Sequence, residues 1–418
     1  MNFNLRWISI KRASLVLALS LLFAATTSAE AQIFKVIHTF RGGNDGIEPN
    51  AGLLLAPDGI YGDTYKGGGK TSDIGTVFKI DNAGNYSVLY RFPGCCDVYP
   101  RGADPEGTLI RDASGTLYGT TFLGGIDKYG AIFKLDPTGH ETVLHNFIKT
   151  DGSGPRAPLV MDAAGNLYGT AEYGGDLPDC SDIGCGTIFK LDPAGNLTVL
   201  HAFKNSLDGV LPVGNIVLDA KGNLYGIASQ GGSTDCVGGG CGTMFKLAQN
   251  GAMTVLHIFH SDDSIGCFPF GGLIGDQAGN LYGTTGACAV GDHGSVFKVD
   301  PKGNITVLYN FQGGTDGSGS AAPLLLDAAG NLYGTTEFGG DPSCKLGDRN
   351  GCGTVFELDT SRHETVLYRF HGKQDGGFPF AGLVMDAAGN LYGTAPEAGD
   401  YSCEEFVGCG VVFEVTPQ

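Results

Sequence analysis

The chain has 418 residues, of which 70 are glycine and only 17% are charged, and it carries a formal net charge of −18. So acidic a surface offers no basic footprint for nucleic acid or for an anionic membrane. The same make-up suits many tight turns between short buried strands, whereas a disordered chain would carry more charge and fewer apolar groups.

In chain order the first predicted element is a leader. Arg6, Lys11 and Arg12 precede an apolar run over residues 15–25, and Ala29-Glu30-Ala31 supplies a small-residue exit before Gln32. Residues 1–31 read as a secretory signal peptide, too short to span a membrane and stay there. Its removal leaves the chain more acidic still and takes away Trp7, the only tryptophan. Residues 32–418 read as a single domain, because one pattern runs through all of them.

That pattern has three markers in fixed order. GNLYGTT and its variants centre on Tyr61, Tyr118, Tyr168, Tyr225, Tyr282, Tyr333 and Tyr392, at spacings of 50 to 59 residues. A VFK-type marker follows at Phe78, Phe133, Phe189, Phe245, Phe297, Phe356 and Phe413. TVLHxF or TVLYxF then ends at Phe92, Phe147, Phe203, Phe259, Phe311 and Phe370. In the unit over residues 323–370, the run Pro323-Leu324-Leu325-Leu326 stops at the turn Asp327-Ala328-Ala329-Gly330-Asn331. Gly and Asn supply the backbone angles such a turn needs. Strands over 332–336, 354–359 and 364–370 complete four antiparallel strands of 4 to 7 residues. Runs such as VFKL are apolar on both faces apart from one position, as doubly buried strands must be.

Seven such units predict an all-β, seven-bladed β-propeller with four-stranded blades. Residues 36–40 match the fourth strand of a unit and residues 411–415 the third. The N-terminal strand is therefore expected to complete the last blade, closing the ring and leaving neither end as an exposed edge. Turns from strand one to two and from three to four are short and uniform, so their face is scaffold. Connections from two to three, and from four to the next blade, vary in length, and function belongs on their face.

The twelve cysteines fit an exported, disulfide-bonded chain. Cys180 with Cys185, Cys236 with Cys241, Cys344 with Cys352, and Cys403 with Cys409 each share one two-to-three loop, and Cys267 can reach Cys288 on the same face. Closing so short a loop is worth only about 2 kcal/mol in the chain-entropy model, so these bridges are expected to stiffen loops. Cys95 and Cys96 remain as neighbours, bridged or free.

Asp45, Asp97, Asp151, Asp208, Asp263, Asp316 and Asp375 follow the outer strands, one per blade. Together they could attract Ca²⁺, but an Asp before Gly caps its own turn, and that reading is preferred; no cofactor is expected. His38, His145, His201 and His257 alternate with Tyr90, Tyr309 and Tyr368 at one outer-strand position, which reads as packing. The blades disagree three residues before the first apolar residue of each inner strand, where Asn50, Glu106, Arg156, Val213, Phe270, Ala321 and Phe380 stand. Two aromatics, an acid and a base around one mouth make Asn50, Glu106, Arg156, Phe270 and Phe380 the candidate ligand-binding residues for a glycan or small molecule. Drift at a loop position, with Glu106 and Arg156 merely paired, is the competing account.

A binding or scaffolding module is preferred to an enzyme. The rival is a polysaccharide-active hydrolase or lyase using Glu106, Glu172 or Glu337 as acid or base. There is no GxSxG elbow, HExxH or phosphate loop.

The units GNLYGTTEFGG, GTVFKLDPAGN and TVLHxF resemble the GloVer tandem-repeat family of exported bacterial proteins, also described as choice-of-anchor repeat proteins. The resemblance covers residue 33 to the C-terminus and implies a propeller-like repeat in an extracellular or envelope location. It brings no established activity or catalytic residues. Members often continue into a C-terminal sorting anchor, and no such tail follows the repeats before Gln418, so a released or periplasmic protein is expected; separately, a monomer is expected.

Overall fold

The computed structural model describes residues 33–417, apart from 70–73, 94–101, 176–179, 205–207, 237–238, 263, 347–348, 402 and 404–407. The leader, Cys95, Cys96, Asp97 and Asp263 lie outside the described residues. Within these limits the only helical piece is a single 3₁₀ turn, Ser181–Ile183, and no helix is long and apolar enough to cross a membrane. The rest of the regular structure is antiparallel sheet, arranged as the seven blades of an all-β propeller plus a small hairpin, Lys345–Leu346 with Arg349–Asn350, in blade six's two-to-three loop.

Blade six shows how the sequence makes one sheet. Its strands Leu325–Leu326, Leu332–Thr336, Thr354–Leu358 and Glu364–Arg369 pair in chain order. Thr354–Leu358 is buried at every position but one, as a strand covered on both faces must be. The turn before the second strand is held by its aspartate. Asp327 Oδ1 accepts the N–H groups of Ala329 and Asn331, and Oδ2 accepts the Asn331 amide and the Tyr333 hydroxyl. Asp162 and Asp386 do the same for Tyr168 and Tyr392. The side chain takes over backbone donors that so tight a turn leaves unpaired.

The inner strands are shorter than the sequence suggests, keeping two ladder residues in blades two, three, five, six and seven. Pro323 has no N–H to give, and the Ala322 carbonyl accepts the Thr284 hydroxyl of the preceding blade instead of a ladder bond. Blade four differs, with a nine-residue inner strand, Val210–Leu218. Blade two gains a fifth strand, Gly102–Pro105, which pairs with Leu117–Gly124.

Closure is as expected from the matching ends. Ile33–Thr39 pairs antiparallel with Val411–Thr416, from Ile33 opposite Thr416 to Thr39 opposite Val411. The resulting blade runs inward as Ile33–Thr39, Val411–Thr416, Leu391–Ala395 and Val384–Met385.

One aromatic pair recurs at every seam between blades. The phenylalanine closing an outer strand meets the third-strand phenylalanine of the next blade: Phe40 with Phe78, Phe92 with Phe133, Phe147 with Phe189, Phe203 with Phe245, Phe259 with Phe297, Phe311 with Phe356, and Phe370 with Phe413. Ring centroids lie 5.1 to 5.8 Å apart at steep interplanar angles, the edge-to-face geometry that aromatic quadrupoles favour. The glycine of each LYG marker makes room for these rings. A Cβ on Gly283 would stand 2.7 Å from Phe297 Cζ, nearer than real side chains approach.

Candidate functional site

The seven connections that enter the inner strands share one backbone device. Glu48, Asp104, Gly154, Leu211, Phe268, Gly319 and Phe378 all lie in the left-handed region, with φ between 53° and 69°. Proline follows six of them and Ser320 the seventh. For Leu211, Phe268 and Phe378 this is a sparsely populated conformation that surrounding contacts must enforce. Those contacts are visible. Each kinked residue donates its N–H to a carbonyl of the preceding blade, at Cys409, Ile74, Tyr129, Cys185, Cys241, His293 and Cys352 respectively. The residue two places beyond the kink is then aimed at the axis, and these are Asn50, Glu106, Arg156, Val213, Phe270, Ala321 and Phe380.

All seven line one axial cavity of about 650 Å³. Glu172, Tyr173, Gln230 and Glu337, from the ends of second strands, line it as well. The five residues singled out from sequence as ligand-binding candidates are thus brought together, and so are all three of the rival hypothesis's carboxylates, Glu106 among them.

Five disulfides bracket this arrangement: Cys180–Cys185, Cys236–Cys241, Cys267–Cys288, Cys344–Cys352 and Cys403–Cys409. Their placement has a purpose that spacing does not reveal. Cys185, Cys241, Cys352 and Cys409 supply the carbonyls that hold four of the seven kinks, and Cys267 directly precedes a kinked residue, Phe268.

The cavity wall is chemically lopsided. Arg156 donates Nε to Glu106 Oε2 at 2.7 Å, and its Nη2 lies 2.6 Å from the same oxygen. Its Nη1 stands 3.2 Å from Glu172 Oε2, a charge contact without the alignment of a hydrogen bond. The guanidinium also sits 5.0 Å from the centre of the Phe122 ring, fixing it from behind. Burial pushes the Glu106 carboxyl above its usual range, while Arg156 draws it back. Behind Glu106, burial with help from that neighbouring charge lifts Asp104 to about 6. The far side carries Phe270, 42% exposed, and Phe380.

One buried acid was not visible as such from the sequence. Asp63 occupies the second-strand position that is Thr120, Thr284, Thr335 and Thr394 elsewhere, where the hydroxyl bonds to an inner-segment carbonyl of the next blade. It is 1% exposed, neither carboxyl oxygen has a hydrogen-bond partner, and burial raises its pKa well above the ordinary value. The signal available was the one acidic break in the YGT pattern, Tyr61-Gly62-Asp63, the other departure being the apolar Tyr225-Gly226-Ile227.

The outer-strand His or Tyr does more than pack, which corrects the sequence reading. His145 and His201 contact Asp151 and Asp208 at 3.0 and 2.8 Å, and the hydroxyls of Tyr309 and Tyr368 donate to Asp316 and Asp375 at 3.0 and 2.8 Å. His38 meets Asp45 more loosely, at 3.3 Å. The same aspartates accept backbone N–H groups of their own turns, from Arg41, Ile148, Lys204 and His371 among others. This is the turn-capping role expected of them. Among the described residues, the only three potential metal ligands within 4.8 Å of one another are Cys236, Cys267 and Cys288, all held in disulfides.

The sequence matches the Gloeobacter/Verrucomicrobia repeat over residues 20–239 and again over 237–418. The chain belongs to this family. No curated protein matches it. Among solved structures, the GloVer propeller is similar to the extracellular domain of a protein assigned as a one-component system from B. thetaiotaomicron, at 10% identity and a TM-score of 0.55. That match covers 91% of this chain and 40% of the other, so the chain spans about two fifths of that structure's length. It is also similar to a protein assigned as a 6-phosphogluconolactonase from Bacteroides uniformis ATCC 8492, at 16% identity and a TM-score of 0.49, over 87% of this chain and 89% of the other. At such identities the first likeness is one of fold alone.

Proposed function

We propose that this GloVer propeller is an exported, extracellular or periplasmic binding module that takes a saccharide in the axial cavity of its long-loop face. The observation that carries the reading is the convergence of seven unlike residues on one cavity, delivered by seven like kinks. A scaffold repeated this faithfully has no structural need for Asn50, Glu106, Arg156, Phe270 and Phe380 to differ. An aromatic face such as Phe270 suits the apolar face of a sugar ring, and the amide and charged groups opposite suit its hydroxyls. Five disulfides and the sequence leader support a location outside the cytoplasm.

A glycan array tests this, followed by titration of the best ligand against Phe270→Ala and Phe380→Ala. Retention of a saccharide, weakened at least about 10-fold by either substitution, is the expected result. Binding insensitive to both would overturn the site, and an array with no retained glycan would overturn the ligand class.

The hydrolytic reading draws on the raised carboxyl of Glu106 beside Glu172. Both face the same arginine, and an acid engaged with a guanidinium is a poor proton donor. Reducing ends released from a retained polysaccharide would nonetheless favour it over simple binding.

A further inference from the structure

Ring order places Glu337, at the end of the second strand of blade six, between Phe270 of blade five and Phe380 of blade seven. The axial residue of blade six itself is Ala321, which puts no bulk between the two rings. One arc of the cavity is therefore lined by a carboxylate with an aromatic side chain contributed by the blade on either side. The opposite arc presents Arg156, with Glu106 and Glu172 against its guanidinium. Among the charged side chains of the described residues that line the cavity, three are acidic and one is basic, which favours a cationic ligand.

Resting on the saccharide reading above, we infer that the arc of Phe270, Glu337 and Phe380 is a subsite for a protonated amine, and that the preferred ligand is an amino sugar with a free ammonium group. A carboxylate gives an ammonium a charge-assisted hydrogen bond, and aromatic faces attract it through their quadrupoles. An acidic sugar meets the opposite conditions. Arg156, the one basic side chain among the described residues lining the cavity, already faces two carboxylates. An N-acetylated sugar of the same size keeps the ring but loses the charge, and gains nothing from Glu337.

The decisive comparison sets glucosamine oligomers against N-acetylglucosamine oligomers and oligouronates of equal length, by titration calorimetry with the full chain. The free amine is expected to bind about 10-fold more tightly than its acetylated counterpart. That advantage should collapse in Glu337→Gln and shrink as salt is raised, because it is electrostatic. The salt series needs only the native chain, so a preference unmoved by salt overturns the subsite even if the variant fails to fold. Equal or tighter binding of the acetylated or acidic oligomer, or a preference unmoved by salt and by Glu337→Gln, would overturn the amine subsite and leave the saccharide reading standing. Failure of every oligomer to bind would overturn both.

Discussion

Asp104 shows how residue chemistry is set by position in this ring. It is 8% exposed, lies in the left-handed region, and has its carboxyl lifted from 3.8 to about 6 by burial. A carboxyl whose folded value is raised contributes most below its unfolded value, and that contribution is lost as pH rises through the folded one. The window here runs from about 4 to about 6. Asp104→Asn keeps the shape, tolerates the left-handed backbone and removes the charge. It is expected to stabilise the chain at pH 7 by about 2 kcal/mol, discounted for solvent screening, with the gain vanishing below pH 4. Denaturant titrations at pH 3.5 and pH 7 check this, and a gain of equal size at both would refute the assignment.

At the scale of the element, the kink and the disulfide act as one unit. Thiol reduction is expected to speed amide exchange at Leu211, Phe268 and Phe378, whose N–H groups bond to Cys185, Cys241 and Cys352, while third-strand amides stay protected. Hydrogen exchange followed residue by residue would test it, and uniform acceleration would show that the bridges hold the fold and not the site. The strand marker makes a second expectation. Gly283→Ala should cost about 1 to 3 kcal/mol through overpacking against Phe297, and Phe297→Leu should recover part of it.

Strand order, blade number and disulfide pairing were legible in the sequence because each is repeated, and repetition turns weak local signals into strong ones. Asn50, Glu106, Arg156, Phe270 and Phe380 were legible by the opposite logic, as the place where repetition fails. The kink was not, since Glu48, Asp104, Leu211, Phe268 and Phe378 share no single residue type, the proline that follows each does not itself dictate a left-handed φ, and that φ is imposed by a hydrogen bond to another blade. Nor was the burial of Asp63, which depends on what the neighbouring blade lays over it. Short inner strands escaped for a similar reason: Ala322 looks like strand until its carbonyl finds a hydroxyl next door.

For the whole molecule, closure by the N-terminal strand makes the seam between blades seven and one the equal of the other six. Phe40→Ala and Phe203→Ala each remove a fully buried ring from an edge-to-face pair. Both should cost about 3 to 5 kcal/mol in equilibrium unfolding. An open ring would make Phe40→Ala nearly silent, and would let residues 33–41 be deleted without loss.

The axial cavity belongs to no single blade. A molecule lodged there would lean on segments from all seven at once, like a keystone shared by seven arches, and a ring parted at any one joint would have no such seat to offer. Occupancy and circular integrity are therefore thermodynamically linked, so that a guest held tightly enough would fasten joints it never touches.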